Sequence, residues 1–329
     1  MCTALTLGTK DGQYLFGRTM DLEYAFNQAI YLVPRNYPYK DVVSESVKKT
    51  KHAILGMGTN MNNHPMLADA FNEKGLACAG LNFPGYAHYE EKSIEGKINL
   101  PAHDVILYIL SNFENVEQVK KAFGNVAIIN KPFMQGIPVA TLHWIVSDRD
   151  GKSIVIESVE EGLKIYDNLV GVITNSPTFD YQITNLNQYV GIQANHPANT
   201  NWGDVELKPL GVGLGLFGLP GDFSPPSRFV RTAYLRSQVN KKYDELESIA
   251  QFFHIMNNVA MVKESIHTAQ GLHSMTQYIS CMNQHTGKFY YNTYYNSQIN
   301  VIDMNKEDLD REDMKQFTYI DIQNFNEQN

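Results

Sequence analysis

The sequence predicts an α+β chain in which two β-sheets are covered by helices within one domain spanning 1–329. Three observations predict it. Strand-like segments come in three groups separated by two groups of helical periodicity, which is the pattern of sheets packed against helix layers. No Gly/Ser-rich linker or internal repeat divides the chain, and 329 residues are enough to bury a large core. Hydrophobic content of 43% with 19% charged residues is that of a globular protein.

The first strand group opens with Cys2-Thr3-Ala4-Leu5-Thr6-Leu7, turns at Lys10-Asp11-Gly12 and returns through Tyr14 to Thr19, since Asp-Gly is a hairpin-turn dipeptide. Residues 29–33 and 52–57 read as further strands separated by a lysine-rich polar loop. Residues 59–65, Thr-Asn-Met-Asn-Asn-His-Pro, read as a loop, and Leu76 to Phe83 as a strand of small residues after the turn Asn72-Glu73-Lys74-Gly75. The period then changes. Val105, Ile106, Ile109, Leu110 and Phe113 fall on one helical face, and Val116, Val119, Ala122 and Phe123 on the face of a second helix.

Residues 140–146, 153–157, 163–166 and 169–174 form the second strand group. A helix over 181–190 follows, and then a stretch at about 191–224 rich in Gly, Pro and Asn, whose length marks it as functional or as an oligomer-assembly element. Gly213-Leu214-Gly215-Leu216-Phe217-Gly218 matches a dinucleotide fingerprint in form only, because Pro220 and Gly221 stand where a helix should open. Helices over 227–238 and 243–260 precede an aromatic meander at 276–282, 289–294 and 298–302 and a charged tail.

A net charge of −8 without a visible basic face disfavours a nucleic-acid partner, and no apolar run is long enough for a membrane span. The N-terminus lacks the apolar core of a signal peptide, so a cytoplasmic location is expected. The three cysteines are too few for a disulfide framework. Cys78 and Cys281 lie in apolar runs and read as structural, and His254, between Phe253 and Ile255, reads as a core histidine.

Cys2 has a chemical context. Removal of Met1 would give one residue both a thiol and a free α-amine, a nucleophile carrying its own base. Such groups titrate near 8.5 and 7.7–8 when free, so neighbours must favour the reactive forms. The hairpin brings Arg18 and Asp21 toward Cys2, where a guanidinium favours the thiolate and a carboxylate can orient the amine. An Arg and an Asp after a hairpin are also commonly just solvated residues at a strand end.

Hydrolase and metal templates find no match: there is no G-x-S-x-G elbow, H-E-x-x-H or C-x-x-C, and the ten histidines are scattered. Amide hydrolysis also needs donors for a developing oxyanion. Asn82 and Asn175 stand at strand ends in glycine- or proline-flanked contexts, as donors or as turn residues. Arg228 is either a surface cation of its helix or a charge partner for Asp21.

These residues carry a resemblance to the choloylglycine hydrolase family, in its bile salt hydrolase branch, within the N-terminal-nucleophile superfamily. It covers essentially the whole chain through Met1-Cys2-Thr3, Phe16-Gly17-Arg18 with Met20-Asp21, Asn72-Glu73-Lys74-Gly75-Leu76 to Gly80-Leu81-Asn82-Phe83, Thr174-Asn175-Ser176-Pro177-Thr178-Phe179, Asn185-Leu186-Asn187-Gln188-Tyr189, Gly218-Leu219-Pro220-Gly221-Asp222 to Ser227-Arg228-Phe229, and Tyr291-Asn292-Thr293-Tyr294. Thr19 departs from the asparagine usual in relatives.

The resemblance implies a four-layer αββα sandwich, a homotetramer, and no metal or organic cofactor. It implies Cys2 as nucleophile with Arg18, Asp21, Asn82, Asn175 and Arg228 around it, Asn82 and Asn175 serving the oxyanion. The substrates implied are glycine- or taurine-conjugated bile salts. Asparagine at 82 points to that branch, since the related penicillin V acylases tend to carry tyrosine there. Met20, Met61, Ala68, Phe133 and Ile137 are candidate pocket walls by loop position and resemblance, with core packing the alternative. Penicillin V acylase is the second reading, and a non-catalytic ligand-binding sandwich the third.

Overall fold

The computed structural model describes residues 1–329. Strand β1, Cys2–Gly8, and strand β2, Tyr14–Leu22, form the expected hairpin, with Gly12 at φ +84° in the turn. Their register pairs Cys2 with Met20 and Ala4 with Arg18, so these four side chains share one face. Across β2 lies the strand Met275–Asn283, which it approaches closely: a Cβ on Gly17 would fall 2.0 Å from the Ser280 carbonyl oxygen. This six-stranded antiparallel sheet is completed by Val172–Ile173 beside β1 and by Lys288–Thr293 and Asn300–Asp303 on the other side.

The second large sheet has eight antiparallel strands, with Leu142–Ser147, Ala77–Asn82, His64–Asn72 and Ile54–Met61 at its centre. Residues 59–65 are therefore not a loop. Asn62 and Asn63, at φ +54° and +62°, make a two-residue turn, and asparagine tolerates that left-handed conformation. Within the charged tail, Lys315–Phe317 forms a strand that closes the edge of this sheet against Ala29–Val33.

Helices α1, Val105–Asn112, and α2, Val116–Phe123, cover the outer face of the eight-stranded sheet and share a core with Trp144, Val146 and Ile156. Helix α3, Phe179–Asn185, follows the 172–173 strand and runs on as a short 3-10 turn. Helices α4, Pro225–Val239, and α5, Glu245–Asn257, lie on the outer face of the six-stranded sheet. Between the sheets runs the larger core, with Phe16, Leu55, Met57, Phe71, Leu81 and Met282. The layers are helices, sheet, sheet, helices, the αββα sandwich.

Within 191–224, Thr200–Trp202 and Val205–Leu207 form a small exposed hairpin, and Leu214–Leu216 a 3-10 turn in place of any nucleotide-binding helix start. Cys78 and Cys281 are buried as expected, whereas His254 is exposed on α5, its apolar neighbours facing inward without it. No helix is long and apolar enough to cross a membrane.

Candidate active site

Cys2 is 2% exposed, at the start of β1 and on the face that looks into the space between the sheets. Arg18, two registers away on β2, is equally buried and points its Nη2 at the Cys2 sulfur, with Met20 Sδ at 3.5 Å from the same nitrogen. Every other guanidinium hydrogen has an acceptor: Thr19 O takes Nε at 3.1 Å, and Gly80 O and Ala68 O take Nη1, the latter at 3.3 Å. The last of these depends on a β-bulge. Met57 pairs with Asp69 and Gly58 with Leu67, which leaves Ala68 out of the ladder and its carbonyl free.

Burial opposes the charge on Arg18, but Cys2, Tyr278, Asp69 and Asp21 together outweigh it and hold the arginine's pKa above its ordinary value. Asp69 was not foreseen. It is completely buried, accepts from the Tyr278 hydroxyl, and takes Ser280 Oγ at 2.7 Å. Burial pushes its carboxyl up, against the pull of Arg18 and the two hydroxyls.

Arg228 is fully buried in the first turn of α4, so its reading as a surface cation is overturned. Its Nη1 donates to Cys2 O at 2.5 Å and Thr3 Oγ1 at 2.6 Å, its Nη2 to Asn175 Oδ1 at 2.6 Å, and its Nε to Phe223 O at 2.9 Å. Burial lowers its pKa, and Asp21 and Cys2 oppose that shift through space. Asp21 is reached by no direct arginine bond. Its carboxylate accepts instead from Thr276 Oγ1 at 2.6 Å and Thr19 Oγ1 at 3.0 Å, so the departure at Thr19 supplies a hydroxyl that fixes Asp21.

Met1 is present, and the Cys2 nitrogen is here an amide that donates to Asn175 Oδ1 at 2.9 Å, not to the Asp21 carboxylate. Asp21 meets the chain start through its backbone oxygen, which accepts from the Met1 amine at 2.5 Å. Asn175 is held in one orientation, because Arg228 can only donate and must face the oxygen. Asn175 Nδ2 then donates to Asn82 O at 2.7 Å, with one hydrogen left over. Asn82 is exposed, and its Oδ1 accepts from Thr141 Oγ1 at 2.9 Å, leaving its Nδ2 without a protein partner. The two asparagines meet at adjoining strand ends beside Cys2.

Below them, buried His143 spans Glu157 and the Thr174 carbonyl at 3.0 Å each, and its ring stacks on Phe83 at 4.2 Å. It braces the residues next to both asparagines. Among the five candidate pocket residues, Met20 and Ala68 touch Arg18. Met61 ends its hairpin strand, half-buried; Phe133 packs on His64 at 5.0 Å and His103 at 5.4 Å between ring centres; Ile137 is 38% exposed.

What the arrangement can do chemically is attack a carbonyl. A buried thiol meets a guanidinium, amide donors flank it, and the backbone nitrogen of the same residue becomes an amine if Met1 leaves. No group of three or more metal-ligating side chains accompanies it.

A family model described as linear amide C–N hydrolases, choloylglycine hydrolase family, matches residues 2–317. The chain is 51% identical over 319 residues to a bile salt hydrolase/transferase of Clostridium perfringens, covering 97% of each. It is 42% identical over 312 residues to a bile salt hydrolase/transferase of Lactiplantibacillus plantarum, covering 94% of each. The crystal structure of the C2A variant of the Clostridium perfringens conjugated bile acid hydrolase superposes with a TM-score of 0.96 at 50% identity, over 100% of both chains. The chain therefore belongs to the choloylglycine hydrolase family of linear amide C–N hydrolases.

Proposed function

We propose that this chain cleaves the amide joining a bile acid to glycine or taurine, with Cys2 as nucleophile after Met1 is removed. The observation that carries the reading is the convergence of Arg18, Asn175 and Arg228 on the Cys2 thiol, nitrogen and carbonyl. The freed α-amine takes the thiol proton, and the sulfur attacks the substrate carbonyl. Asn82 Nδ2 and the spare hydrogen of Asn175 Nδ2 donate to the oxyanion. Collapse breaks the C–N bond, the ammonium returns its proton to the departing amino group, and a thioester remains. Water, deprotonated by the amine, hydrolyses it to the bile acid and frees the thiol.

In this mechanism Arg18 stabilises the thiolate, Arg228 holds Asn175, and Asp21 fixes the chain start. Intact-mass measurement tests it. The mature protein should lack Met1 and, quenched in acid during turnover, should carry one bile-acyl group on Cys2; a retained Met1 overturns the mechanism.

Penicillin V acylase activity is the second reading, and asparagine at 82 favours the first. A steroid that buries roughly 200–300 Å² of apolar surface gains about 5–8 kcal/mol before association costs, so apolar loops should shape KM. We assign that role to Met20, Met61, Ala68, Phe133 and Ile137. Replacing Phe133 and Ile137 together by alanine should raise the KM for conjugated bile salts about tenfold with little change in kcat, and an unchanged KM in steady-state kinetics removes them from the pocket.

The chain is proposed to be a single domain whose 191–224 segment joins copies into a homotetramer, in the cytoplasm. Leu210, Val212 and Phe217 are 97%, 101% and 85% exposed, an apolar display that a partner would cover. Substituting all three by serine should give a monomer or dimer by light scattering; an unchanged tetramer, or a monomeric parent, contradicts the assignment.

A further inference from the structure

Two guanidinium and two carboxyl side chains lie buried around Cys2 and Arg18: Arg18 and Asp21 from β2, Arg228 from α4, and Asp69 from the strand His64–Asn72 of the opposite sheet. With both carboxyls ionised and the thiol neutral, two guanidinium charges meet two carboxylates and the buried charges balance. The mechanism above uses three of them. Asp69 is left, and its geometry is that of an acceptor on both oxygens.

Ser280 stands opposite Arg18 in the six-stranded sheet and receives the Arg18 backbone N–H at 3.3 Å, which directs its own hydroxyl hydrogen to Asp69 Oδ2 at 2.7 Å. Tyr278, fully buried, donates to Oδ1; burial and the neighbouring Asp69 push its phenol well above the ordinary value, so it keeps its proton. The residue before Asp69 is Ala68, whose carbonyl takes an Arg18 hydrogen. One strand thus gives Arg18 a backbone acceptor at Ala68 and, one residue on, a carboxylate that acts on it through space without a direct hydrogen bond.

We propose that Asp69, held by Tyr278 and Ser280, is the resting counter-charge of Arg18 and sets how much of the arginine's charge the Cys2 thiolate receives. It is a positioning residue, acting through Arg18 and touching no reacting atom. A thiolate facing Arg18 with no competing anion would form more readily but attack less well, since nucleophilicity falls with basicity. Asp69 keeps the sulfur basic enough to attack an unactivated amide. This inference rests on Cys2 being the nucleophile.

The test is the pH dependence of iodoacetamide alkylation of the mature enzyme, followed by mass, with hydrolysis of a conjugated bile salt in parallel. The groups facing the sulfur are Arg18, Arg228, the Cys2 amine and, behind them, Asp21, Asp69 and Tyr278. Cys78 and Cys281 stay silent, because burial pushes both thiols far up. In Asp69→Asn the lost negative charge favours the thiolate. The pH of half-maximal alkylation should therefore fall by about one unit, with about tenfold more thiolate on the acid limb, while kcat falls.

If that variant does not fold, Tyr278→Phe removes one donor, drives Asp69 toward its protonated form and should move the profile the same way by less. An unmoved profile, or a shift to higher pH, in the variant that folds overturns the inference. Failure of the underlying reading looks different: the parent enzyme, alkylated at Cys2, would keep its activity.

Discussion

Replacing Cys2 by alanine should abolish hydrolysis of conjugated bile salts, a loss on the order of 10⁶ in kcat, with the fold intact. The magnitude follows from the nature of the step. Without a nucleophile the acyl-enzyme route closes, and only the donors at Asn82 and Asn175 remain to assist direct attack by water. Stability should change little, because one sulfur atom leaves a small cavity beside Arg18 and Met20. Arg18 would lose one acceptor and keep three carbonyls. Amino-acid release measured alongside a thermal melt checks both halves; substantial residual turnover in a folded variant is incompatible with the mechanism.

The second large effect is expected at Asn175, where alanine should cost 10²–10³ in kcat, about the worth of one oxyanion donor. Truncation also removes the acceptor for Arg228 Nη2 and for the Cys2 nitrogen, so alanine alone mixes two roles. Asn175→Asp separates them. Aspartate keeps an oxygen for Arg228 and for the Cys2 amine but offers no N–H to the oxyanion, and it should lose at least as much as alanine. Near-normal turnover in either variant rules out Asn175 as a donor.

The site divides into a part legible in the sequence and a part that is not. The β1–β2 hairpin is local: Asp11-Gly12 sets the turn, the register follows, and Arg18 arrives at Cys2 without reference to the rest of the chain. Arg228 could not be resolved from its surroundings, because Ser227-Arg228-Phe229-Val230-Arg231 reads as a helix with cations on it. Only the packing of α4 on β1 decides that Arg228 is buried.

Asp69 escaped for a related reason. Its strand begins His64-Pro65 after two asparagines, which imitates a loop, and the partners that give the carboxylate meaning lie more than two hundred residues away. Thr276 reaches Asp21 across a similar separation. Neither contact leaves a periodic signal. The fold was clearer than the site, since strands and amphipathic helices announce themselves locally. The exceptions were the 64–72 strand and the edge strand 315–317, which lie outside ordinary strand composition, and short strands of small two-stranded sheets such as Val126–Ile129 beside Ile98–Pro101.

One measurement tests the central claim most directly: release of glycine, taurine or 6-aminopenicillanic acid from glycocholate, taurocholate and penicillin V, side by side, with Cys2→Ala as the blank. The account predicts fast release from the bile salts, little from penicillin V, and none from the blank. Release chiefly from penicillin V, or release from bile salts that survives loss of Cys2, would contradict it.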